Sequence, residues 1–223
     1  MDRFCISVTP IAESHHEEIE KIDLPAGGEI QFRRRYLNWN EADLLFQTLM
    51  KQMPWKKSEL LLNGQLVKTP RLQSWMGDPI VRSGTYSQSR LDWSPELDAL
   101  RKRLEKLLDK KFDYVLLNLY QDGSDYVGYH ADREVYRDED LIASISLGAS
   151  RRFLVKPIVG PDEATNGLLE WTLKNGDLLT MNGEMQRHYK HTVPKTSKPV
   201  GPRINLTFRQ SASLSEQTNV VPE

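Results

Sequence analysis

Three side chains in the second half of the chain, His130, Asp132 and His191, are of types that hold a catalytic metal. His130 and Asp132 are separated by one residue. On a strand, successive side chains point to opposite faces, so both would project to the same side. His191 follows on a later apolar stretch. Two imidazoles and one carboxylate on one face of a metal leave the opposite positions open, which suits Fe(II) used for oxygen chemistry. The run 203–209 adds a second requirement. Arg203, Asn205, Thr207 and Arg209 alternate with Ile204, Leu206 and Phe208, so a strand here would have one polar and one apolar face. Two inward guanidiniums suggest a bound dianion, because their planar forks hold carboxylates bidentately.

The elements that must position these groups are mostly strands. From Phe112 onward, apolar runs recur at 113–120, 126–130, 142–148, 151–156, 168–173, 177–181, 189–193 and 203–209. Asp122-Gly123, Gly160-Pro161, Asn166-Gly167 and Asn175-Gly176 separate them as turn signals. This density of short strands predicts a sandwich or barrel, such as a double-sheet jelly roll. The first half is mixed. Ile30, Phe32, Arg34 and Tyr36 fall at every second position of a predicted strand. Asn40 is placed to cap a helix with Glu41 and Asp43 in its first turn. Leu45, Phe46, Leu49 and Met50 would be its apolar side, and Pro54 its stop. Asn63-Gly64 predicts a hairpin with arms at 60–62 and 66–67, since a type I′ turn needs positive φ at both positions. Ser94-Pro95 opens a second helix, with Leu97, Leu100, Leu104, Leu107 and Leu108 at helical spacing. Its leucine side is expected against a sheet, and its Lys and Arg residues in water. The expected fold class is α+β.

At 223 residues and a formal net charge of −1, the chain can build one packed domain. Its overall charge does not call for a nucleic-acid partner. Basic residues cluster locally instead. Lys51, Lys56, Lys57, Lys68 and Arg71 form one group, and Arg101, Lys102, Arg103, Lys106, Lys110 and Lys111 another. Either group can line a phosphate-bearing ligand or form a solvated face. The single cysteine, Cys5, excludes an internal disulfide and fits a reducing compartment. The first residues lack the long apolar run of a signal peptide or membrane helix. The expectation is an intracellular monomer without a membrane partner, cytoplasmic in a prokaryote or nuclear in a eukaryote.

Several short motifs occur in a telling order. Asn118-Leu119-Tyr120, Asp122-Gly123 and His130-Ala131-Asp132 precede Ser146-Leu147-Gly148, His191-Thr192-Val193-Pro194 and the run from Pro202 to Arg209. Upstream stand Pro70-Arg71, Ser83-Gly84 and Trp93-Ser94-Pro95. Together they resemble the AlkB family of Fe(II)/2-oxoglutarate dioxygenases over roughly residues 60 to 209. The resemblance implies a double-stranded β-helix (jelly-roll) core with supporting helices and an N-terminal nucleotide-recognition lid. It implies an extension at 1–28, a single domain at 29–209 and a polar tail at 210–223. Within the domain, about 29–111 would be lid and supporting helices, and 112–209 the core. His130, Asp132 and His191 would bind Fe(II), with 2-oxoglutarate as cosubstrate and O₂ as oxidant. His188 is a local rival for the third ligand, but His191 fits the family's His-Thr/Ser-hydrophobic-Pro pattern. Arg203 would hold the distal carboxylate of 2-oxoglutarate, with Tyr120 and Asn205. Arg209 and Asn118 would sit nearer the iron, and Thr207 would complete the polar face.

AlkB-like enzymes typically oxidise N-alkylated bases such as 1-methyladenine and 3-methylcytosine, releasing formaldehyde, succinate and CO₂. The resemblance therefore implies alkylated DNA or RNA as partner, with the target base out of its stack. Arg71 and the 101–111 basic cluster are expected to meet phosphates, and Trp75 or Met76 to contact a base. Arg82 and Ser83 would line the same region, and Glu134 would bond an exocyclic amino group. Members acting on duplex DNA often carry aromatic residues where Ile80 and Arg82 stand here. The Asn63-Gly64 tip also lacks a bulky apolar wedge. Single-stranded DNA and RNA thus stay open as substrates. Two other readings stand beside this one: a 2-oxoglutarate-dependent hydroxylase or demethylase of a protein, lipid or small molecule, and a non-enzymatic nucleic-acid-binding module.

Overall fold

A computed structural model describes residues 19–62, 64–77, 91–132, 141–158 and 168–210. The first part holds β1 (Ile19–Asp23), β2 (Glu29–Arg33), α1 (Trp39–Gln52), β3 (Glu59–Leu62), β4 (Gln65–Lys68), β5 (Leu72–Gly77) and α2 (Pro95–Leu108). The second begins with β6 (Tyr114–Tyr120), β7 (Val127–His130), β8 (Ile142–Gly148), β9 (Arg151–Pro157) and β10 (Leu169–Leu173). It ends with β11 (Leu178–Asn182), α3 (Met185–His188), β12 (Tyr189–Val193) and β13 (Arg203–Arg209).

The strands of the second part are dealt between two antiparallel sheets. A seven-stranded sheet runs β1-β2-β11-β8-β13-β6-β5, and a four-stranded sheet runs β10-β9-β12-β7. This is the jelly roll that the strand density predicts. Among the described residues the β3–β4 hairpin pairs only with itself.

Register explains why the large sheet has two different faces. On β13, Asn205 lies opposite Asn118 of β6 and Ser146 of β8, whereas Leu206 lies opposite Leu117 and Ile145. Every second residue therefore shares a face across three strands. The apolar face meets the helices. Ala42, Leu45 and Leu49 of α1 and Leu97, Leu100 and Leu104 of α2 join Val115, Leu117, Ile145, Leu206 and Phe208 in one core. The other face meets the small sheet. There Ile30, Phe32, Tyr120 and Leu179 pack with Phe153, Val155, Trp171 and Val193.

Local chemistry sets the helix ends. The Asn38 side chain accepts from Glu41 N at 3.0 Å, and the Glu41 carboxylate accepts from Asn38 N at 3.1 Å. This reciprocal cap starts α1 two residues before the predicted Asn40, because Asn38 is extended and Asn40 already helical. Ser94 and Pro95 open α2 as predicted. Gly148 sits at φ +79°, and a Cβ there would lie 2.6 Å from the Pro202 carbonyl and 2.7 Å from the Phe46 ring. Glycine thus lets α1 close onto the end of β8.

Two strands were not predicted. β1 falls inside the expected extension and pairs with β2. β5 extends the large sheet beyond β6. The predicted strand through Tyr36 ends at Arg33, because the chain then turns through Arg35 at φ 52°.

Leu104 is fully buried between α2 and the sheet. Leu104→Ala is expected to lower the unfolding free energy by about 2–5 kcal/mol, since a cavity replaces packed atoms. Urea denaturation checks this, and a loss below about 1 kcal/mol would mean that α2 is not held by this stripe.

Candidate metal and cosubstrate site

His130 ends β7 and His191 lies on β12, and the two are direct cross-strand partners. Their ring centroids are 4.3 Å apart. Asp132 lies two residues past His130. One carboxylate oxygen is 3.6 Å from His130 Nε2 and the other 3.6 Å from His191 Nε2. Ligand atoms from all three residues lie within 4.8 Å of one another. His188, the rival, points elsewhere, with its Nε2 3.8 Å from the Glu184 carboxylate.

The donor set fits iron. His130 Nδ1 lies 2.8 Å from the Gly128 carbonyl oxygen, which keeps the proton on Nδ1 and leaves Nε2 for a metal. Asp132 N donates to Gln186 Oε1 at 2.8 Å, so the short helix α3 holds the Asp132 backbone. Arg209 Nη2 donates to Asp132 at 3.0 Å, and both side chains are buried.

The charges hold the ligands in binding-competent form. Burial alone would raise the Asp132 carboxyl. The Arg209 guanidinium, then the His191 and His130 imidazoles, outweigh it and hold Asp132 well below the usual carboxylate range. Burial pushes His191 from 6.5 down to about 3, helped by His130 and opposed by Asp132. At neutral pH the triad is one carboxylate and a neutral buried imidazole beside His130.

The polar face of β13 leads away from the triad. Arg203 is only 1% exposed; its Nη2 donates to Ser146 Oγ at 2.9 Å, and the Tyr120 phenol is a further hydrogen-bonding neighbour. Its Nε and Nη1 are buried without a partner among the described residues. Buried guanidinium donors are rarely left idle. Burial, joined by Arg151, pushes Arg203 down to about 10, while the Tyr120 phenol beside it favours its charge. This is a cradle for an anion, and one carboxylate would satisfy both donors. Asn205 Nδ2 is bound to Ser144 Oγ at 2.8 Å and to the Ile145 carbonyl at 3.1 Å. Thr207 Oγ1 donates to the Leu116 carbonyl at 3.2 Å.

The predicted substrate residues fare differently. Trp75 shares the polar face and stands 5.9 Å from the Tyr114 ring. Met76 points the other way, into the core with the α2 leucines, because neighbouring strand residues alternate. It is therefore not placed to touch a base. Arg71 is buried, and its Nε donates to Asn118 Oδ1 at 2.7 Å, beside a Gln73 Nε2 donor at 2.8 Å. Its guanidinium is engaged inside the fold, on Asn118, and is not a surface cation. The 101–111 cluster lies on α2 and the turn just after it, across the large sheet from the triad. Arg101 and Lys102 pair with Asp98, Arg103 with Glu41, and Lys111 with Glu105. Arg82, Ser83 and Glu134 lie outside the described residues. Sequence reasoning missed Gln186 and Arg151. Ser146 was visible in a motif, and its register with Asn205 would have placed it on the polar face.

Comparison with known proteins agrees with this geometry. The family described as the 2OG-Fe(II) oxygenase superfamily matches residues 30–209. The DNA oxidative demethylase ALKBH2 of Arabidopsis thaliana is 31% identical, covering 92% of this chain and 73% of its own length. ALKBH2 of Bos taurus is 33% identical over 81% of this chain. The alpha-ketoglutarate-dependent dioxygenase alkB homolog 3 of Homo sapiens is 33% identical over 78% of this chain. This chain spans 63% of that relative's length. A solved structure of OsALKBH1 covers 86% of this chain with a TM-score of 0.56 at 18% identity, a likeness of fold. No helix among the described residues is long and apolar enough to cross a membrane.

Below pH 6.5 the unfolded protein binds a proton at His191 that the folded protein refuses down to about pH 3. The metal-free protein is therefore expected to lose stability as pH falls through this window, with Asp132 adding to the loss at its acid end. Urea unfolding in chelator at pH 7.5 and pH 5 reads the slope. His191→Gln should flatten it, and an unchanged slope would assign the effect elsewhere.

Proposed function

The chain belongs to the AlkB-like branch of the 2OG-Fe(II) oxygenase superfamily, and from that premise we propose that it removes N-alkyl groups from DNA or RNA bases. The observation that carries the reading is the pairing of the His130, Asp132 and His191 triad with a buried Arg203 whose Nε and Nη1 lack partners among the described residues. The relatives named DNA oxidative demethylase supply the substrate class.

Bound iron and 2-oxoglutarate supply the oxidation of a substrate C–H bond by O₂, with succinate and CO₂ as coproducts. His130, Asp132 and His191 would hold the iron from one side. Arg203 would take the distal carboxylate, with Ser146, Tyr120 and Asn205 around it. Asn118 and Arg209 would face the end nearer the iron, and Thr207 the floor between. The packing between the sheets keeps water from the cradle, which strengthens each charge contact. Trp75, buried on the same face against Tyr114, would back the space that a base taken from its stack enters. Hydroxylation of an N-methyl carbon would give a hemiaminal that collapses to formaldehyde and the free base. Residues 82–83 and Glu134 are proposed to complete the substrate side.

The deciding assay is formaldehyde release with Fe(II), 2-oxoglutarate and ascorbate. Single- and double-stranded DNA and RNA oligonucleotides bearing 1-methyladenine or 3-methylcytosine serve as substrates. Release is expected, and Asp132→Ala is expected to abolish it, because two protein ligands remain. Succinate formation without release from any oligonucleotide would redirect the search to a protein, lipid or metabolite. Arg203→Ala is expected to raise the 2-oxoglutarate requirement by on the order of tenfold or more, since a charge-assisted contact is lost. Titrating the cosubstrate measures it, and an unchanged requirement would move the distal carboxylate elsewhere.

A further inference from the structure

Arg151 opens β9 and is only 3% exposed. Its Nη1 donates to the Asp122 carbonyl at 2.9 Å. Its Nη2 donates to the Asp125 carbonyl at 2.8 Å and the Pro194 carbonyl at 2.7 Å. Asp122 and Asp125 lie between β6 and β7, and Pro194 directly follows β12. One guanidinium thus ties together the ends of three strands that carry Tyr120, His130 and His191.

The same group also reaches Tyr120 directly. The guanidinium carbon of Arg151 is 5.4 Å from the Tyr120 ring centroid, and that of Arg203 is 5.3 Å from the same centroid. Tyr120 is itself 2% exposed, so the phenol is enclosed between β6 and its neighbours. Placing a second buried cation near Arg203 is unfavourable unless something there uses it. The groups that favour the Arg151 charge are the Tyr120 phenol first, then the Asp125 and Asp122 carboxylates.

We infer that Arg151 is a positioning residue for the distal half of the 2-oxoglutarate pocket, fixing the Tyr120 ring and with it the phenol beside Arg203. The inference rests on the proposed assignment of Arg203 and Tyr120 to the distal carboxylate. It acts on one end of the cosubstrate and not on the metal.

The test is binding, without turnover. Wild type, Arg151→Gln and Arg151→Lys are loaded with Mn(II), and calorimetry follows 2-oxoglutarate and 2-oxobutyrate, which lacks the distal carboxylate. Arg151→Gln is expected to weaken 2-oxoglutarate binding about tenfold. Mn(II) and 2-oxobutyrate affinities are expected to change by less than about twofold, because neither uses the distal contact. Arg151→Lys should show a smaller loss with the same contrast, and it carries the test if Arg151→Gln does not fold. In a Tyr120→Phe background, Arg151→Gln should change 2-oxoglutarate binding by less than about twofold, since the positioned phenol is gone. An unchanged 2-oxoglutarate affinity, an equal loss for both acids, or full additivity with Tyr120→Phe overturns the inference. Failure of wild type to bind 2-oxoglutarate overturns the cosubstrate assignment itself, a different result from a wild type that binds and variants that match it.

Discussion

The ion pair between Asp132 and Arg209 joins the two sheets at the point where the chemistry sits. Arg209 ends β13 in the large sheet, and Asp132 follows β7 of the small one. The contact is 3.0 Å long, with both side chains almost fully buried. A buried pair of this kind adds little net stability, but losing one partner strands a charge at a cost of about 3–5 kcal/mol. The pair therefore acts as a constraint. The two sheets are satisfied only in the relative position that brings these charges together, and that position also sets Asp132 against both imidazoles.

Sheet register converts this constraint into a site. On β13, one parity supplies Ile204, Leu206 and Phe208 to the helix-covered core, and the other supplies Arg203, Asn205, Thr207 and Arg209 to the space between the sheets. A slip of one residue would bury two guanidiniums under the helices and turn the apolar row toward the His130, Asp132 and His191 triad. The leucines of α1 and α2 thus do more than stabilise. They fix which side of β13 faces the small sheet. Gly28 does a smaller version of the same work at the other edge. At φ +91° it lets the β1–β2 turn approach Met185 so closely that a Cβ would sit 2.5 Å from that residue's backbone nitrogen. Met185 starts the short helix whose Gln186 holds Asp132.

What the sequence shows and what it hides follow from how local each signal is. The strands of the jelly roll are visible because apolar alternation and Asx-Gly turns are local, as is the spacing of His130 and Asp132. β1 has no such pattern, since four of its five residues are exposed at a sheet edge. β5 reads Leu-Gln-Ser-Trp-Met-Gly, where polar residues are buried on both faces, so periodicity says nothing. Arg71 looks like a surface cation until Asn118 arrives from a strand far along the chain. Arg103 looks like part of a phosphate track until Glu41 and Tyr36 arrive from far earlier in the chain. Burial and long-range pairing decide these cases, and neither is written in the local sequence.

The protonation states at the triad bear on how the site is prepared. A metal must displace protons from ligands that carry them, so affinity falls wherever ligands are protonated. Here Arg209 keeps Asp132 ionised and burial keeps His191 neutral, which removes that cost at neutral pH. The same arginine opposes an incoming cation by simple repulsion. An anion bound beside the metal relieves that repulsion, and Arg203 offers it a second point of attachment further along the strand. Metal and dianion bound in this way would be coupled, each raising the affinity for the other by linkage. A buried aspartate held by Arg209, with the buried Arg203 further along the same strand, suits a cation that arrives with an anion.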